Sequence, residues 1–167
     1  WSPDSKWLTY TKGSDSRMSS IWVYSLDQKK TMQLTSDLTN EFDPLFSKDG
    51  KYLYFFSNRD FNLKFSNWEF NYVYTNPTRV YSAALNNEVP ALFQPKSDEE
   101  KISDDEKEKK DTGDVIVKID PENFENRISV LPGKAGSYSL LLQTDKGVMY
   151  IYREDSGSKL KHFNQSD

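Results

Sequence analysis

Two stretches of this chain align position for position, 45 residues apart: Trp1-Ser2-Pro3-Asp4-Ser5-Lys6-Trp7-Leu8-Thr9-Tyr10 against Phe46-Ser47-Lys48-Asp49-Gly50-Lys51-Tyr52-Leu53-Tyr54-Phe55. Each reads aromatic, Ser, a variable residue, Asp, Ser or Gly, Lys, and then an aromatic-rich strand. The pattern is that of a tight reversal between antiparallel strands. Asp side chains bond nearby backbone amides, Gly tolerates positive φ, and Pro presets its own φ near −65°. A second match follows each reversal, Ile21-Trp22-Val23-Tyr24-Ser25-Leu26 against Val80-Tyr81-Ser82-Ala83-Ala84-Leu85, now 59 positions apart, so the second unit carries about 14 additional residues. Outer strands are expected behind polar turns at 31–35 and 91–94. Self-similarity at this period means that one supersecondary unit is built more than once and that neighbouring units cover each other's apolar faces. Short β-branched and aromatic strands without helical periodicity predict an all-β fold: a partial β-propeller of about three four-stranded antiparallel blades with a disordered acidic loop.

The expected organisation is in three parts. Residues 1–94 form propeller blades. The first blade, residues 1 to about 40, lacks its first strand, so the chain is expected to open inside a structural unit. The second has strands at 41–46, 52–57, 79–85 and 91–94, with an Asn- and aromatic-rich insertion at 59–78. Residues 95–114 form an acidic solvated linker or loop. Within it, 13 of the 16 residues from 96 to 111 are Asp, Glu or Lys, and such a run cannot bury enough apolar surface to offset chain entropy. Residues 115–167 supply further propeller strands, at 115–119, 127–131, 137–144, 148–153 and 159–164, with a hairpin turn at Asp145-Lys146-Gly147. Blades without ring closure leave apolar flanks open, so the segment is expected to self-associate as an oligomer.

Composition removes several classes of function. Lys and Arg number 22 against 26 Asp and Glu, with no basic stripe for a phosphate backbone, so nucleic acid is not an expected partner. The chain has no Cys, hence no disulfide framework and no thiolate metal site, and periplasmic and cytoplasmic locations both stay open. No apolar run approaches the roughly 20 residues of a membrane span, and the N-terminus lacks a signal-peptide pattern. His162 is the single imidazole, and no Gly-x-Ser-x-Gly elbow accompanies it. Asp4, Asp49 and Asp145 are accounted for as turn formers. The acidic run lacks the glycine and spaced oxygens of a calcium loop, and no phosphate loop or His/Cys metal pattern occurs. No catalytic residue, metal or cofactor is therefore expected of the chain itself.

The insertion is the place for binding. Phe61, Phe65, Trp68, Phe70, Tyr72 and Tyr74 stand among Asn residues, and Trp and Tyr combine a large contact area with a polar tip. Arg59 and Arg79 flank them, and a guanidinium can hold a peptide carboxylate through two parallel hydrogen bonds. Arg59, Arg79, Trp68 and Tyr72 are the candidate peptide-binding residues. Two structural roles compete: the rings can cap the blade edge or pack on a neighbouring domain, and the arginines can pair with Asp60 or Glu69. Trp1, Trp7 and Trp22 are expected in the core between blades.

The paired turns resemble the repeats of many bacterial propellers, including the Tol-associated periplasmic protein and the prolyl oligopeptidases. A narrower resemblance comes from Ser57-Asn58-Arg59-Asp60-Phe61-Asn62, from Trp68-Glu69-Phe70-Asn71-Tyr72, and from Asp120, Arg127, Leu131-Pro132, Gly136, Tyr138 and Leu140-Leu141-Leu142 behind the acidic stretch. In that order these look like the tricorn protease family, over nearly the whole chain. The resemblance implies a multidomain serine peptidase acting on oligopeptides, with propellers ahead of a PDZ-like domain and a catalytic region that has no counterpart here. It implies that this segment is a non-catalytic propeller guiding or filtering oligopeptide access to an active site elsewhere in the parent protein. Its partners would be oligopeptides and the remaining domains of the parent. The alternative is a protein-interaction propeller of the Tol-associated type, without peptidase activity.

Overall fold

The strand Tyr-Leu-Tyr-Phe-Phe-Ser at 52–57 is apolar on both of its faces, and a strand of that kind is stable only with cover on both sides. The architecture supplies that cover. A computed structural model describes residues 1–61, 63–93 and 115–165. In chain order the strands are β1 (Trp7–Gly13), β2 (Ser19–Ser25), β3 (Lys30–Gln33), β4 (Glu41–Phe46), β5 (Tyr52–Ser57), β6 (Leu63–Ser66), β7 (Asn71–Tyr74), β8 (Arg79–Ala84), β9 (Ile128–Val130), β10 (Ser137–Thr144), β11 (Gly147–Glu154) and β12 (Gly157–Asn164), with one 3₁₀ turn at Phe124–Arg127. They form antiparallel sheets β1-β2-β3, β4-β5-β8-β9 and β10-β11-β12, and a separate hairpin β6-β7. The fold is all-β, a partial propeller whose central blade is complete.

Alternate residues of the central blade face opposite ways, so one strand feeds two cores. Leu53 and Phe55 of β5, with Tyr81 and Ala83 of β8, pack against Trp7, Ile21 and Val23 of the first sheet. Tyr54, Phe56 and Val80 pack the other way, against Val148 and Tyr150 of the third. Each fully buried ring of this kind contributes about 1.5–3 kcal/mol. The outward face of the third sheet stays open, with Leu140, Leu142 and Leu160 exposed.

The repeated turn is the same structure twice, down to its hydrogen bonds. In the first copy the Ser2 amide donates to the Trp7 carbonyl at 2.9 Å and the Trp7 amide to Ser2 Oγ at 2.9 Å. Ser2 Oγ donates in turn to Asp4 Oδ1 at 2.6 Å, which also accepts the Lys6 amide at 3.2 Å. In the second copy Ser47, Asp49, Lys51 and Tyr52 repeat these bonds at 2.8, 2.9, 2.5 and 3.1 Å. The fifth position is left-handed in both, Ser5 at φ +58° and Gly50 at φ +68°. Gly50 is required for a second reason: a Cβ there would stand 2.8 Å from the side chains of Val115 and Val117.

A further repeat is structural and carries no obvious sequence signature. β4 pairs with β5 through a one-residue bulge between Phe42 and Leu45, and β10 pairs with β11 through the same bulge between Ser139 and Leu142. Asp43 (φ +51°) and Leu140 (φ +59°) occupy equivalent left-handed positions in the two strands. Gln143 Nε2 donates to the Phe46 carbonyl at 3.1 Å, joining these strands at the bulged ends.

Three expectations need correction. The fourth strand of the central blade is β9, not 91–94: Ile128, Ser129 and Val130 pair with Ala83, Ser82 and Tyr81. Residues 91–93 form no strand, and Pro90 immediately before them has no amide to give to a ladder. The edge of β8 is taken instead by the later segment, through Asp120 N–H to the Leu85 carbonyl at 2.8 Å, Arg127 Nε to the Ala84 carbonyl at 3.0 Å and Leu131 N–H to the Val80 carbonyl at 2.9 Å. Residues 115–119 are likewise not a strand. Side chains of the first turn claim their backbone, Asp4 Oδ2 accepting from Val117 N–H at 2.9 Å and Trp7 Nε1 donating to the Val117 carbonyl at 3.2 Å. Trp1 is 69% exposed while its repeat counterpart Phe46 is 1% exposed, because Phe46 closes a strand between two sheets and Trp1 lies in coil. Trp7 is buried as expected and Trp22 is half-buried. The acidic loop expected at 95–114 lies outside the described residues.

Candidate functional site

The two ends of the blades differ in kind. One end carries the short repeated turns. There, burial opposes ionisation of Asp4, but hydrogen bonds from Ser2, Val117 and Lys6 outweigh it and hold the carboxyl below its ordinary range. Lys48 pairs with Asp145, tying the turns of the second and third blades together and lowering the Asp145 carboxyl. Asp4 and Asp49 organise their turns as expected, whereas Asp145 acts through this cross-blade pair. His162 is exposed on β12, its Nε2 3.0 Å from Thr144 Oγ1.

The other end carries the insertion, which leaves the blade after Ser57 and returns at Arg79, two residues that face each other across β5 and β8. Its base is closed by polar contacts. Thr78 Oγ1 donates to Asn58 Oδ1 at 2.7 Å. Arg59 Nη2 donates to Glu41 Oε1 at 3.0 Å and Arg59 Nε to Ser57 Oγ at 3.1 Å. The guanidinium lies over the rings of Tyr81 and Phe55, 5.4 and 5.9 Å from their centroids. Arg79 stands 3.6 Å from Asp60 Oδ1 and donates through Nη2 to the Gly133 carbonyl at 2.7 Å. Burial, reinforced by the Asp60 charge, pushes the nearby Tyr81 hydroxyl up.

Glu41 organises this base. It is fully buried, and its Oε1 also accepts from Thr39 Oγ1 at 2.5 Å and Ser57 Oγ at 2.8 Å. Its Oε2 and the Nε of Arg79 are buried without a partner. A charge with no exposure is tolerable only when paired and hydrogen-bonded, so Glu41 and Arg59 depend on each other. Nothing in the reading of the sequence singled out Glu41. The available signal was a carboxylate opening an inner strand, Glu-Phe-Asp-Pro-Leu-Phe, followed after the next strand by an insertion with an arginine at each end.

Beyond this base the insertion is a hairpin that projects from the blade. The register pairs Leu63 with Tyr74 and Phe65 with Tyr72, so Leu63, Phe65 and Tyr72 share one face, while Lys64, Val73, Ser66 and Asn71 share the other. The Phe65 and Tyr72 rings meet edge to face, 5.4 Å apart. Trp68, in the connecting loop, is 91% exposed, and Phe70 beside it is exposed as well. These rings do not fold back as a cap on the blade edge. At the foot of the hairpin, Phe61 joins Met18, Leu38, Asn40, Asn58 and Pro77 around a largely apolar cleft of about 320 Å³ at the junction of the first two blades. The Ser19 amide donates to Asn40 Oδ1 at 3.0 Å, holding one wall. The structure thus places Arg59 and Arg79 together at the base with partners of their own, and Trp68 and Tyr72 together on the projecting part.

Comparison with known proteins follows this architecture. A family profile described as the tricorn protease second beta propeller domain matches residues 1–166. Tricorn protease homolog 1 of Streptomyces coelicolor is 26% identical over 153 residues, which is 90% of this chain and 14% of that protein. A putative tricorn-like protease C-terminal subunit of Sulfurisphaera tokodaii is 28% identical over 164 residues, 98% of this chain and 18% of that protein. The crystal structure of the tricorn protease superposes with a TM-score of 0.70 at 16% identity, covering 99% of this chain and 17% of that one. This chain spans less than a fifth of the length of each of these relatives. Repeat, sheet order and profile agree, and the chain belongs to the tricorn protease second β-propeller domain family.

Proposed function

We propose that this chain is a non-catalytic propeller segment of a tricorn-like serine peptidase, and that it guides or filters oligopeptides on their way to an active site elsewhere in the parent protein. The observation that carries the reading is the exposed aromatic hairpin standing beside an apolar cleft at a blade junction, both on the same end of the fold. Aromatic rings held clear of the core by a fixed base offer contact area at low entropic cost. Trp68 and Tyr72 make the peptide contact in this reading. Arg59 and Arg79 act through the base, and they meet a peptide carboxylate only by exchanging their present partners, Glu41 and Asp60. The open face of the third sheet, with Leu140, Leu142 and Leu160, is where the isolated segment self-associates.

Titration of oligopeptides into the intact parent protein tests the role. Saturable binding in the micromolar to millimolar range, weakened by joint replacement of Trp68 and Tyr72 with Ala, is the expected result. Absence of saturable peptide binding overturns it, and capture of a folded protein in its place would favour the interaction-propeller alternative.

A further inference from the structure

We infer that the hairpin takes its peptide as an added β-strand, along the outer edge of β6, and that the preferred peptide is extended, uncharged and apolar at every second position. The inference rests on the peptide-handling reading above and specifies how that reading operates.

The Tyr72 N–H donates to the side-chain Oδ1 of Asn71 at 2.8 Å. In an antiparallel pair, opposed residues alternate between those that exchange both backbone bonds and those that exchange neither and turn their polar groups outward. The Tyr72 amide is committed to a side chain, so Phe65 and Tyr72 are an outward-facing pair. Their rings, 5.4 Å apart, fit the closer side-chain approach of that pair type. Two positions along, Leu63 and Tyr74 share the same phase.

The consequences for the two edges are opposite. On β7 the outward amide of Tyr72 is already covered by Asn71, which blocks that edge as a template. On β6 the outward amide and carbonyl belong to Phe65, and no other strand of the described residues lies beside it. A two-stranded ribbon is marginal in water, and a third strand supplies both backbone bonds and a second flank for the exposed rings. Side chains of an added strand alternate across the two faces. Every second one would lie beside Leu63 and Phe65, and the others beside Lys64 and Ser66. Charge narrows the ligand further. Between residues 61 and 78 only Lys64 and Glu69 are charged, one of each sign, and at the base Arg59 and Arg79 are matched by Glu41 and Asp60. The docking edge is electrically balanced and matches a strand without net charge.

The test uses the intact parent protein and an acetylated, amidated octapeptide of alternating Leu and Thr. Two derivatives carry N-methyl groups on the odd-numbered or on the even-numbered amides, which blocks backbone pairing along one edge and leaves the side chains in place. Strand addition predicts that one derivative binds at least about tenfold more weakly than the parent peptide, as expected for the loss of backbone hydrogen bonds, while the other stays within about twofold. It also predicts slowed hydrogen exchange at Phe65 on binding. Equal binding by both derivatives, or equal weakening of both, overturns strand addition while leaving peptide handling in place. No binding by any of the peptides overturns both.

Discussion

The repeated turns and the inserted hairpin sit at opposite ends of the same blades and are built on opposite principles. The turns are closed at their serines: Ser2 and Ser47 each bond an Asp two residues on and an aromatic residue five residues on, using both the hydroxyl and the backbone amide within the turn. The hairpin is closed only at its base, and its rings, an edge and a loop face outward. A propeller needs the first kind of end to hold its strands in register and can vary the second without disturbing them. In the proposed function, what the blades repeat is scaffold and what one blade adds is the candidate site.

Substitutions at Phe55, Arg59 with Glu41, the two turn serines, Asp4 and Trp68 test this division, beginning with the core that both ends share. Phe55→Ala removes a fully buried ring from the core between the first two blades, with an expected loss of about 4 kcal/mol. Urea unfolding should show a lower midpoint with an unchanged slope. A loss under about 1 kcal/mol would mean that the first two sheets do not form one core. Next comes Arg59→Ala, which leaves the buried Glu41 without its cation and is expected to cost about 3 kcal/mol. In a double-mutant cycle with Glu41→Gln, the two losses should fall well short of adding, since each removes the same pair. Full additivity would show that the base is not a coupled unit.

Ser47→Ala and Ser2→Ala remove matching hydroxyls from the two turns. Each strips an acceptor from a buried aromatic amide and is expected to cost about 1–2 kcal/mol, by similar amounts because the bonding is the same. Widely different losses would break the equivalence. A smaller effect concerns acid. The folded state holds the Asp4 carboxyl below its ordinary value, so its contribution is fully present above the unfolded pKa, near 4, and disappears as pH falls through the lower folded value. Asp4→Asn should therefore flatten the loss of stability below about pH 4, as read by thermal melting across pH, and leave its shape near neutrality unchanged.

The sequence exposed these regions unequally, for physical reasons. The turns were legible because the serine and aspartate bonds that shape each reversal span five residues or fewer, so residue type and spacing carry them, whereas the bonds of Asp4 and Trp7 to Val117 exist only in the folded chain. The central strand was legible because Tyr52 to Ser57 has no polar face to offer solvent. A strand at 127–131 was expected too, but its place beside β8 was not legible, since it returns from beyond the acidic stretch and competes with nearer residues that also read as a strand. That competition was decided by Pro90 and by the grip of Arg127 on Ala84, a contact between residues 43 positions apart. The aromatic insertion was visible by composition, and Arg59 and Arg79 by their position at its ends. Glu41 was hidden, because a carboxylate at the start of a strand has meaning only once Ser57 and Arg59 are beside it.

Trp68→Ala should be the smallest effect on stability and the most informative about the site. The side chain is 91% exposed in the hairpin loop, and among the described residues no hydrogen bond or ring contact holds it to the blade. Its removal should shift unfolding by no more than about 0.5 kcal/mol, the range of surface substitutions away from special features. A ring of this size in water contributes little to folding, and a peptide that covered it would recover apolar area otherwise left exposed. Peptide affinity should therefore fall by about tenfold in the same variant, corresponding to about 1.4 kcal/mol of lost contact. The opposite pattern, stability lost and affinity kept, would make Trp68 part of the scaffold and reverse the division between the two ends of the blades.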